Sequence, residues 1–269
     1  MRLFALALCG LLTLCTAVAA DPTININSRG QNIRVVLLKP STAAVGSVVL
    51  LAGGNGRLDI TAAGEITKLT GNQLVRTRAK YQAKGYNTLV PDLAPDMKVG
   101  SDGVVPGYRV SLNYARDIGA MVKYLRALGA EPVVVIGTSR GSAGAANAVA
   151  KMTHGRRPDG VIYTSAFLPL NCSEIINLWC LTNDQPQLLK LPTLVMWHVK
   201  DECLLTPPSA VRPFTKWWEG GTQLTLSRKA FTGGAPPESG PCEGKSPHGF
   251  WGLDQQVVNA ATAWIAGLD

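Results

Sequence analysis

The stretch of sequence that decides the fold reads Gly137-Thr138-Ser139-Arg140-Gly141. It follows an apolar strand predicted over residues 132–136 and precedes an alanine-rich helix predicted over residues 142–152. A serine on so sharp a strand-to-helix turn has a strained backbone, and the residues two positions before and after it must be small. The two glycines satisfy this demand. The pattern therefore predicts that Ser139 is a nucleophile, rather than the N-cap of an ordinary turn.

Short β-branched runs alternate with helical segments along the rest of the chain. Strands are predicted over residues 33–38, 47–52, 86–90, 160–164, 194–197 and 223–226, and helices over residues 74–84, 108–128 and 253–266. Such alternation predicts a mostly parallel sheet with helices on both faces. Ligands bind beyond the carboxyl ends of the strands in sheets of this type, so we expect the chemistry at that edge.

The amino terminus predicts export. Met1-Arg2 gives a short positive start, residues 3–18 are almost wholly apolar, and Ala19-Ala20 are small. This is the pattern of a cleaved secretory signal peptide, and the apolar run is shorter than the roughly 20 residues of a membrane-spanning helix. We expect residues 1–20 to be a signal peptide and residues 21–269 to form a single catalytic domain. The mature protein is then periplasmic or extracellular, with no stable membrane insertion.

Composition narrows the classes of partner. Hydrophobic residues make up 46% of the chain and charged residues 16%, which is typical of a well-cored globular protein. The net charge is +8, but the basic residues are scattered and no nucleic-acid-binding motif occurs. No CxxC pair occurs and the chain has 3 histidines, so we expect no structural metal. No cofactor is expected, and the partner is predicted to be a small molecule.

The base that activates Ser139 is predicted to be His248. A serine is a weak nucleophile without a base, and the base needs a carboxylate that orients it. For this type of turn the order along the chain is serine, acid, histidine. His248 lies in a loop ahead of the last predicted helix, where the base is expected, whereas His198 belongs to a strand end and is interpreted as a structural histidine.

The acid is predicted to be Asp201, which follows the strand predicted over residues 194–197. Its neighbour Glu202 is the main rival, because a shift of one residue would exchange the two. Asp184 lies in a loop between strands and is a weaker candidate.

A glycine-rich turn supplies the second half of the predicted oxyanion hole. The first donor is expected to be the backbone amide of Arg140, the residue after the nucleophile. The second is expected in Gly53-Gly54-Asn55-Gly56, which follows the strand predicted over residues 47–52. Either Gly54 or Asn55 can fill this role. The turn lacks the Gly-Lys-Ser/Thr ending of a nucleotide P-loop, which excludes that alternative.

Four cysteines remain after the predicted signal peptide, namely Cys172, Cys180, Cys203 and Cys242. An even number in an exported chain predicts two disulfides, and three pairings are possible. A bridge between Cys203 and Cys242 would tether the acid loop to the base loop. Cys172 and Cys180 would then close the loop over residues 168–191, which is either a small lid or a packed structural excursion.

With these motifs in order, the chain resembles the α/β-hydrolase superfamily over essentially its whole mature length. More narrowly, it resembles a group of exported bacterial serine hydrolases of undefined substrate. The resemblance rests on the serine turn, the glycine-rich turn, Gly71-Asn72 ahead of an arginine-rich helix, Asp201 with Cys203, and Cys242 with Ser246-Pro247-His248-Gly249. It implies the α/β-hydrolase fold, with a small lid or none. One departure is that Ala52 stands where the superfamily usually has a histidine.

The function predicted from these residues is hydrolysis of a carboxylic ester through an acyl-enzyme. Ser139 would attack, His248 would move the proton, and Asp201 would hold the imidazolium. An amidase or peptidase would use the same atoms, because the three residues do not distinguish the leaving group. The alternative from another class is a non-catalytic secreted binding protein on a hydrolase scaffold, but such proteins usually lose one member of the triad.

Overall fold

An eight-stranded sheet forms the centre of the protein. The computed structural model describes residues 21–170, 178, 182 and 185–268. The strands are β1 (Thr23–Ser28), β2 (Gln31–Leu38), β3 (Gly46–Leu51), β4 (Tyr86–Pro91), β5 (Lys98–Val99), β6 (Gly103–Val104), β7 (Val133–Thr138), β8 (Gly160–Thr164), β9 (Thr193–His198) and β10 (Ser227–Phe231). The α-helices are α1 (Gln73–Ala83), α2 (Leu112–Ala127), α3 (Arg140–Lys151), α4 (Val211–Thr222) and α5 (Asp254–Ile265).

The sheet is mostly parallel, as predicted. Its strand order is β1-β2-β4-β3-β7-β8-β9-β10, and β5 with β6 forms a separate two-stranded ribbon. In the large sheet β2 runs antiparallel to both of its neighbours, and all the pairs from β4 to β10 are parallel. The carboxyl ends of β7, β8 and β9 therefore lie side by side at one edge.

Helices cover both faces of the sheet, which confirms the predicted layers. Alternate residues of each buried strand point to opposite sides, so that Val133 and Val135 of β7 belong to one core while Val134 and Ile136 belong to the other. The first core includes side chains of α2, α3 and α4, and the second includes side chains of α1 and α5. Burial of each large apolar side chain contributes about 1.5–3 kcal/mol to folding.

The helix predicted over residues 108–128 begins later than expected. Tyr108–Val110 is a 3-10 turn, and α2 starts at Leu112. Ser111 has an extended backbone, and its hydroxyl accepts a hydrogen bond from the amide of Tyr114 at 3.2 Å. The apolar periodicity continues across this N-cap, which is why the pattern alone placed the start too early.

The strand predicted over residues 223–226 is wrong. Helix α4 ends at Thr222, Gln223 has the left-handed φ of 60°, and β10 begins at Ser227. Strand β10 lies at the edge of the sheet, where its middle residues are exposed, so it lacks the apolar pattern of a buried strand. Helix α4 is not among the helices predicted from the sequence, and it contains Pro213 in its first turn, where a proline is tolerated.

Several predictions fall outside the described residues. They concern the signal peptide over residues 1–20, the cysteines Cys172 and Cys180, the acid candidate Asp184 and half of the possible lid over residues 168–191. Export and the single-domain boundaries stay predictions. Among the helices that the structure describes, none is both long enough and apolar enough to cross a membrane.

Candidate active site

Ser139 lies on the turn between β7 and α3, at the carboxyl edge of the sheet. Its φ and ψ are 51° and −126°, a conformation that is strained for a residue with a side chain. Its amide donates to the carbonyl oxygen of Thr164 at the end of β8, at 2.9 Å. Helix α3 begins at Arg140, two residues earlier than the sequence predicts, so the serine directly precedes the first helical turn.

The glycines on either side of Ser139 are required by close backbone contacts. A Cβ atom on Gly137 would overlap the carbonyl oxygen of Gly141. A Cβ atom on Gly141 would overlap the carbonyl oxygen of Leu51, at the end of β3. The turn can therefore fold back on itself and pack against the end of β3 only without side chains at these two positions.

Asp201 and His248 form a buried pair. Asp201 follows β9, and its Oδ2 lies 3.0 Å from Nδ1 of His248, in the 3-10 turn Pro247–Gly249. The two residues are 7% and 3% exposed, so the pair is shielded from solvent. The backbone amide of Cys203 donates to Oδ1 of Asp201 at 2.9 Å. The rival Glu202 is exposed, so the geometry selects Asp201 as the partner of His248.

Thr206 is a member of this cluster that the sequence did not reveal. Its hydroxyl donates to Oδ2 of Asp201 at 3.0 Å and also lies 3.0 Å from Nδ1 of His248. The side chain is 4% exposed. A threonine five positions after an acid carries no recognisable signal, because only the turn between β9 and α4 brings it back to the carboxylate.

Strand β8 connects the serine to the histidine. Its last residue Thr164 accepts the amide of Ser139, and the next residue, Ser165, donates its hydroxyl to the carbonyl oxygen of His248 at 2.6 Å. Nε2 of His248 is buried and has no hydrogen-bond partner in the described part of the chain, so no Ser139–His248 hydrogen bond is formed here. Catalytic hydrogen bonds in free enzymes often tighten only when substrate binds.

A disulfide joins Cys203 to Cys242, with an S–S distance of 2.02 Å and a sequence separation of 39. It ties the segment that follows Asp201 to the segment that precedes His248, as expected from the sequence. Cys203 also donates its amide to Asp201, so the bridge acts close to the carboxylate.

Arg76 of α1 anchors the loop that carries His248. Its guanidinium donates to the carbonyl oxygens of Gly244 at 2.8 Å and Gly249 at 2.6 Å. It also forms an ion pair with Asp254 at 2.8 Å and lies over the ring of Trp251, 5.2 Å from its centroid. The sequence marked α1 as arginine-rich but gave no indication of which arginine reaches this loop.

The glycine-rich turn lies against the nucleophile. A Cβ atom on Gly53 would lie 3.1 Å from Cβ of Ser139. Arg109 donates from Nη2 to the carbonyl oxygen of Ala52 at 2.8 Å and from Nη1 to that of Gly54 at 3.1 Å. These bonds turn the carbonyl groups of the turn toward Arg109. Arg109 is a second residue that the sequence did not reveal.

The amides expected to bind an oxyanion are unused within the described structure. Neither Gly54 nor Asn55 donates its backbone N–H to a described residue, and the same holds for Arg140 at the start of α3. The side chain of Asn55 is committed to the turn itself, because its Oδ1 accepts from the amide of Arg57 at 3.0 Å and its Nδ2 donates to the carbonyl oxygen of Asp102 at 3.0 Å.

A pocket of about 280 Å³ opens next to these amides. It is lined by Gly54 and Asn55, by Arg140 and Ala143 of α3, and by residues 104–110. Burial and then the hydrogen bond to Asp117 raise the pKa of Tyr108 in this last segment, so the phenol stays neutral. Its hydroxyl donates to Asp117 at 2.6 Å, which fixes that wall of the pocket.

His198 is separate from this chemistry. Its Nδ1 accepts the amide of Lys200 at 3.1 Å, and its Nε2 lies 3.0 Å from the carbonyl oxygen of Gly233, so both ring nitrogens have partners. This agrees with its interpretation as a structural histidine. Among the described residues, no group of three or more histidine, cysteine, aspartate or glutamate side chains is arranged to hold a metal ion.

Comparison with known proteins finds similarity at the level of structure. No protein-family model matches the sequence, and no curated protein is detectably similar to it. A thermophilic esterase of the planctomycete Thermogutta terrifontis, solved with butyrate bound, is 15% identical, with a TM-score of 0.59 over 91% of this chain and 93% of that chain. Est1E of Butyrivibrio proteoclasticus is 14% identical, with a TM-score of 0.58 over 90% of this chain and 96% of that chain.

A structure described as a sugar hydrolase of Lactococcus lactis is 16% identical, with a TM-score of 0.59 over 91% of this chain and 96% of that chain. Structural similarity at such low identity shows the fold but not the activity. The eight-stranded sheet and these three likenesses agree with the resemblance noted in the sequence. The chain therefore has the α/β-hydrolase fold.

Proposed function

We propose that the protein is a serine hydrolase that cleaves a carboxylic ester through an acyl-enzyme. The observation that carries the proposal is the buried Asp201–His248 pair, 3.0 Å apart, at the sheet edge where Ser139 occupies its strained turn. A strained backbone and a buried ionisable pair both cost free energy of folding. Both features are common in active sites, where a nucleophile and its base are held in position.

Each residue has a defined step. Ser139 Oγ attacks the ester carbonyl carbon while Nε2 of His248 takes the hydroxyl proton. Asp201 accepts the hydrogen bond from Nδ1 and stabilises the imidazolium. When the tetrahedral intermediate collapses, the proton passes from His248 to the departing alcohol. Water then attacks the acyl group on Ser139 by the same proton transfers, which releases the acid and restores the free serine.

The oxyanion is assigned to backbone amides. Arg140 contributes one donor from the first turn of α3, whose dipole adds positive potential at the same place. Gly54 or Asn55 contributes the other, and both amides are free of described partners. Because Arg109 binds the carbonyl oxygens of Ala52 and Gly54, it fixes the orientation of the peptide groups in this turn. Because both donors are backbone amides, the oxyanion hole does not require the histidine that the superfamily usually has at the position of Ala52.

The fold neighbours support an ester rather than an amide substrate. The Thermogutta protein is described as an esterase, and it has been solved both with butyrate and after phosphoramylation by tabun. Tabun-type reagents modify activated nucleophiles, which is the property proposed here for Ser139.

The test is a panel of 4-nitrophenyl esters of acetate, butyrate and octanoate, with the 4-nitroanilides of the same acids. We expect ester hydrolysis, and a fall in kcat/KM of about 10⁴-fold or more in Ser139→Ala with an unchanged Tm. Faster cleavage of the anilides would make the protein an amidase. Activity that survives Ser139→Ala, or no activity in the folded wild-type protein, would contradict the proposal.

We also propose that the protein is exported, on the pattern of residues 1–20. Expression of the full chain in a Gram-negative bacterium, followed by amino-terminal sequencing of the periplasmic fraction, should give a mature start at Asp21. An uncleaved chain in the cytoplasm would contradict this.

A further inference from the structure

The pocket beside Ser139 has two arginines on its lining and no described carboxylate. Arg140 and Arg109 both line it, together with Gly54, Asn55, Ala143 and residues 104–110. In the described structure neither arginine has an aspartate or glutamate oxygen within the 4.0 Å of an ion pair. Within the described part of the chain, no ion pair therefore neutralises the positive charge of these two side chains.

Arg140 is the member of this pair whose side chain has no described partner. It follows the nucleophile directly, its side chain is exposed, and it has no hydrogen-bond partner in the part of the chain that the structure describes. It also belongs to the first turn of α3, where the helix dipole favours an anion. A long cation at this position can reach a substrate group that lies a few bonds from the reacting carbonyl.

Arg109 is the fixed member. Its guanidinium donates to backbone carbonyl oxygens and lies over the ring of Tyr114, 5.6 Å from the centroid. These partners are neutral, so they hold the side chain in place without cancelling its charge. The side chain is partly exposed and its Nε has no described partner. A fixed cation in the wall makes the pocket electropositive before any substrate enters.

Two described aspartates behind the pocket lining, Asp117 and Asp102, are bound to other side chains. Asp117 pairs with Arg29 and accepts the hydroxyl of Tyr108. Asp102, whose carbonyl oxygen accepts from Asn55, directs its carboxylate to Lys68 at 2.5 Å. By contrast, Arg29 and Arg57 form ion pairs with aspartates at 2.8–3.0 Å. Much of the remaining lining is apolar, with Val104, Val105 and Pro106. Apolar walls reduce the screening of charge, so an anion is attracted more strongly here than at an open surface.

We propose that this pocket binds an anionic group of the substrate, so that the preferred esters carry a carboxylate or a similar anion near the scissile bond. The proposal rests on the proposed ester hydrolysis at Ser139 and specifies its substrate class. The anion can belong to the acyl half of the ester or to the alcohol half, and the chemistry of recognition by Arg140 is the same in both cases.

Two isosteric pairs of esters test the proposal and separate these halves. For the acyl half, the 4-nitrophenyl monoester of adipate is compared with 4-nitrophenyl 6-methylheptanoate, in which two methyl groups replace the carboxylate oxygens. For the alcohol half, 3-acetoxypropanoate is compared with isopentyl acetate in a pH-stat. The readout is the ratio of kcat/KM for the anionic ester to kcat/KM for its neutral isostere, so general losses of activity cancel.

We expect this ratio to exceed about 10 in the wild-type protein for one of the two pairs, because a charge-assisted hydrogen bond to arginine is worth roughly a factor of ten or more. The ratio should fall about tenfold in Arg140→Gln, a variant that keeps the backbone amide. In the wild-type protein, the ratio should also fall in 0.5 M NaCl. Arg116→Gln is the matched control, since Arg116 is an exposed arginine that lines a different pocket beside β1 and α2. It should leave the ratio unchanged.

Equal or lower rates with both anionic esters would overturn the proposal, as would a ratio that Arg140→Gln and Arg116→Gln change by the same factor. Hydrolysis of the neutral esters would then show that the proposed function survives and that only the substrate class is wrong. Failure of the wild-type protein to cleave any ester in the set would contradict the proposed function itself.

Discussion

The two halves of the candidate active site are held in different ways. The nucleophile half is fixed by backbone contacts of five consecutive residues, since a side chain on Gly137 would overlap the carbonyl oxygen of Gly141, and one on Gly141 would overlap that of Leu51. The base half is fixed by side chains far apart in sequence. Arg76 reaches the His248 loop from helix α1, and Cys203 reaches Cys242 across 39 positions.

This difference predicts how each half responds to mutation. A new side chain in the turn would overlap backbone atoms, which cannot move aside as a flexible side chain can. One added methyl group should therefore disrupt the whole turn. The base half has several independent restraints, namely the disulfide, the contacts of Arg76 and the hydroxyl of Thr206. Loss of one should leave the others in place and reduce activity by degrees.

The largest effect is expected for Gly141→Ala. The new Cβ would overlap the carbonyl oxygen of Leu51, and overpacking against backbone should lower the free energy of unfolding by about 4 kcal/mol or more. Gly220→Ala is the matched control, because a Cβ on this residue of α4 meets no atom within 4 Å. It should raise the stability by about 0.5–1 kcal/mol. Urea unfolding of both variants checks this, and similar stabilities would contradict it.

The next effect is expected from loss of the disulfide. In Cys203→Ser/Cys242→Ser, the unfolded chain regains the freedom of a long loop, which should cost about 4 kcal/mol of stability in the chain-entropy model. Activity in the reduced wild-type protein should fall before global unfolding, because the bridge holds the acid loop to the base loop. Kinetics and circular dichroism along a dithiothreitol titration compare the two losses. Simultaneous loss of both, or of neither, would count against a local role.

Removal of the Arg76 side chain should come third. Arg76→Ala frees the carbonyl oxygens of Gly244 and Gly249 beside His248, and a base displaced by about 1 Å can lose up to roughly 100-fold in rate. We expect kcat to fall by about tenfold or more, with little change in KM and a partial recovery in Arg76→Lys. Arg78→Ala is the control, since Arg78 lies on the same helix as Arg76 but pairs with Asp21, ahead of β1. Equal effects of the two alanine variants would make Arg76 merely structural.

The smallest effect is expected for Thr206→Val. This change keeps the shape of a buried side chain but removes the hydroxyl that contacts both Asp201 and His248. Loss of one hydrogen bond should cost about 1 kcal/mol, or a fewfold decrease in kcat. Thr215→Val is the control, because that buried hydroxyl donates to Val211 within α4. A larger loss of activity in Thr215→Val than in Thr206→Val would reverse the prediction.

The same difference explains what the sequence could predict. The serine turn depends on neighbours in sequence, so its pattern could be recognised between a strand and a helix, and the parallel sheet followed from the same alternation. Thr206, Arg76 and Arg109 depend on contacts that only the folded chain creates, and no local pattern marks them. The position after the strand favours Asp201 over Glu202, and the burial of Asp201 supplies the physical reason.

The errors in secondary structure have a similar origin. The sequence pattern predicts a strand at residues 223–226 rather than at Ser227–Phe231, because the residues of β10 are mostly exposed and include adjacent charges at the sheet edge. Strand β1 was missed for a related reason, since it too lies at an edge and is only partly buried. Apolar periodicity reports burial, so it identifies central strands better than edge strands.

Labelling with a fluorophosphonate tests most directly whether Ser139 is a nucleophile activated by the Asp201–His248 pair. Intact mass spectrometry and peptide mapping should find one adduct, on Ser139, in the folded wild-type protein and none after heat unfolding. In folded His248→Ala, the labelling rate should fall about 100-fold or more, because general-base assistance is lost. No adduct on Ser139 in the folded protein, or an equal labelling rate in His248→Ala, would contradict the account.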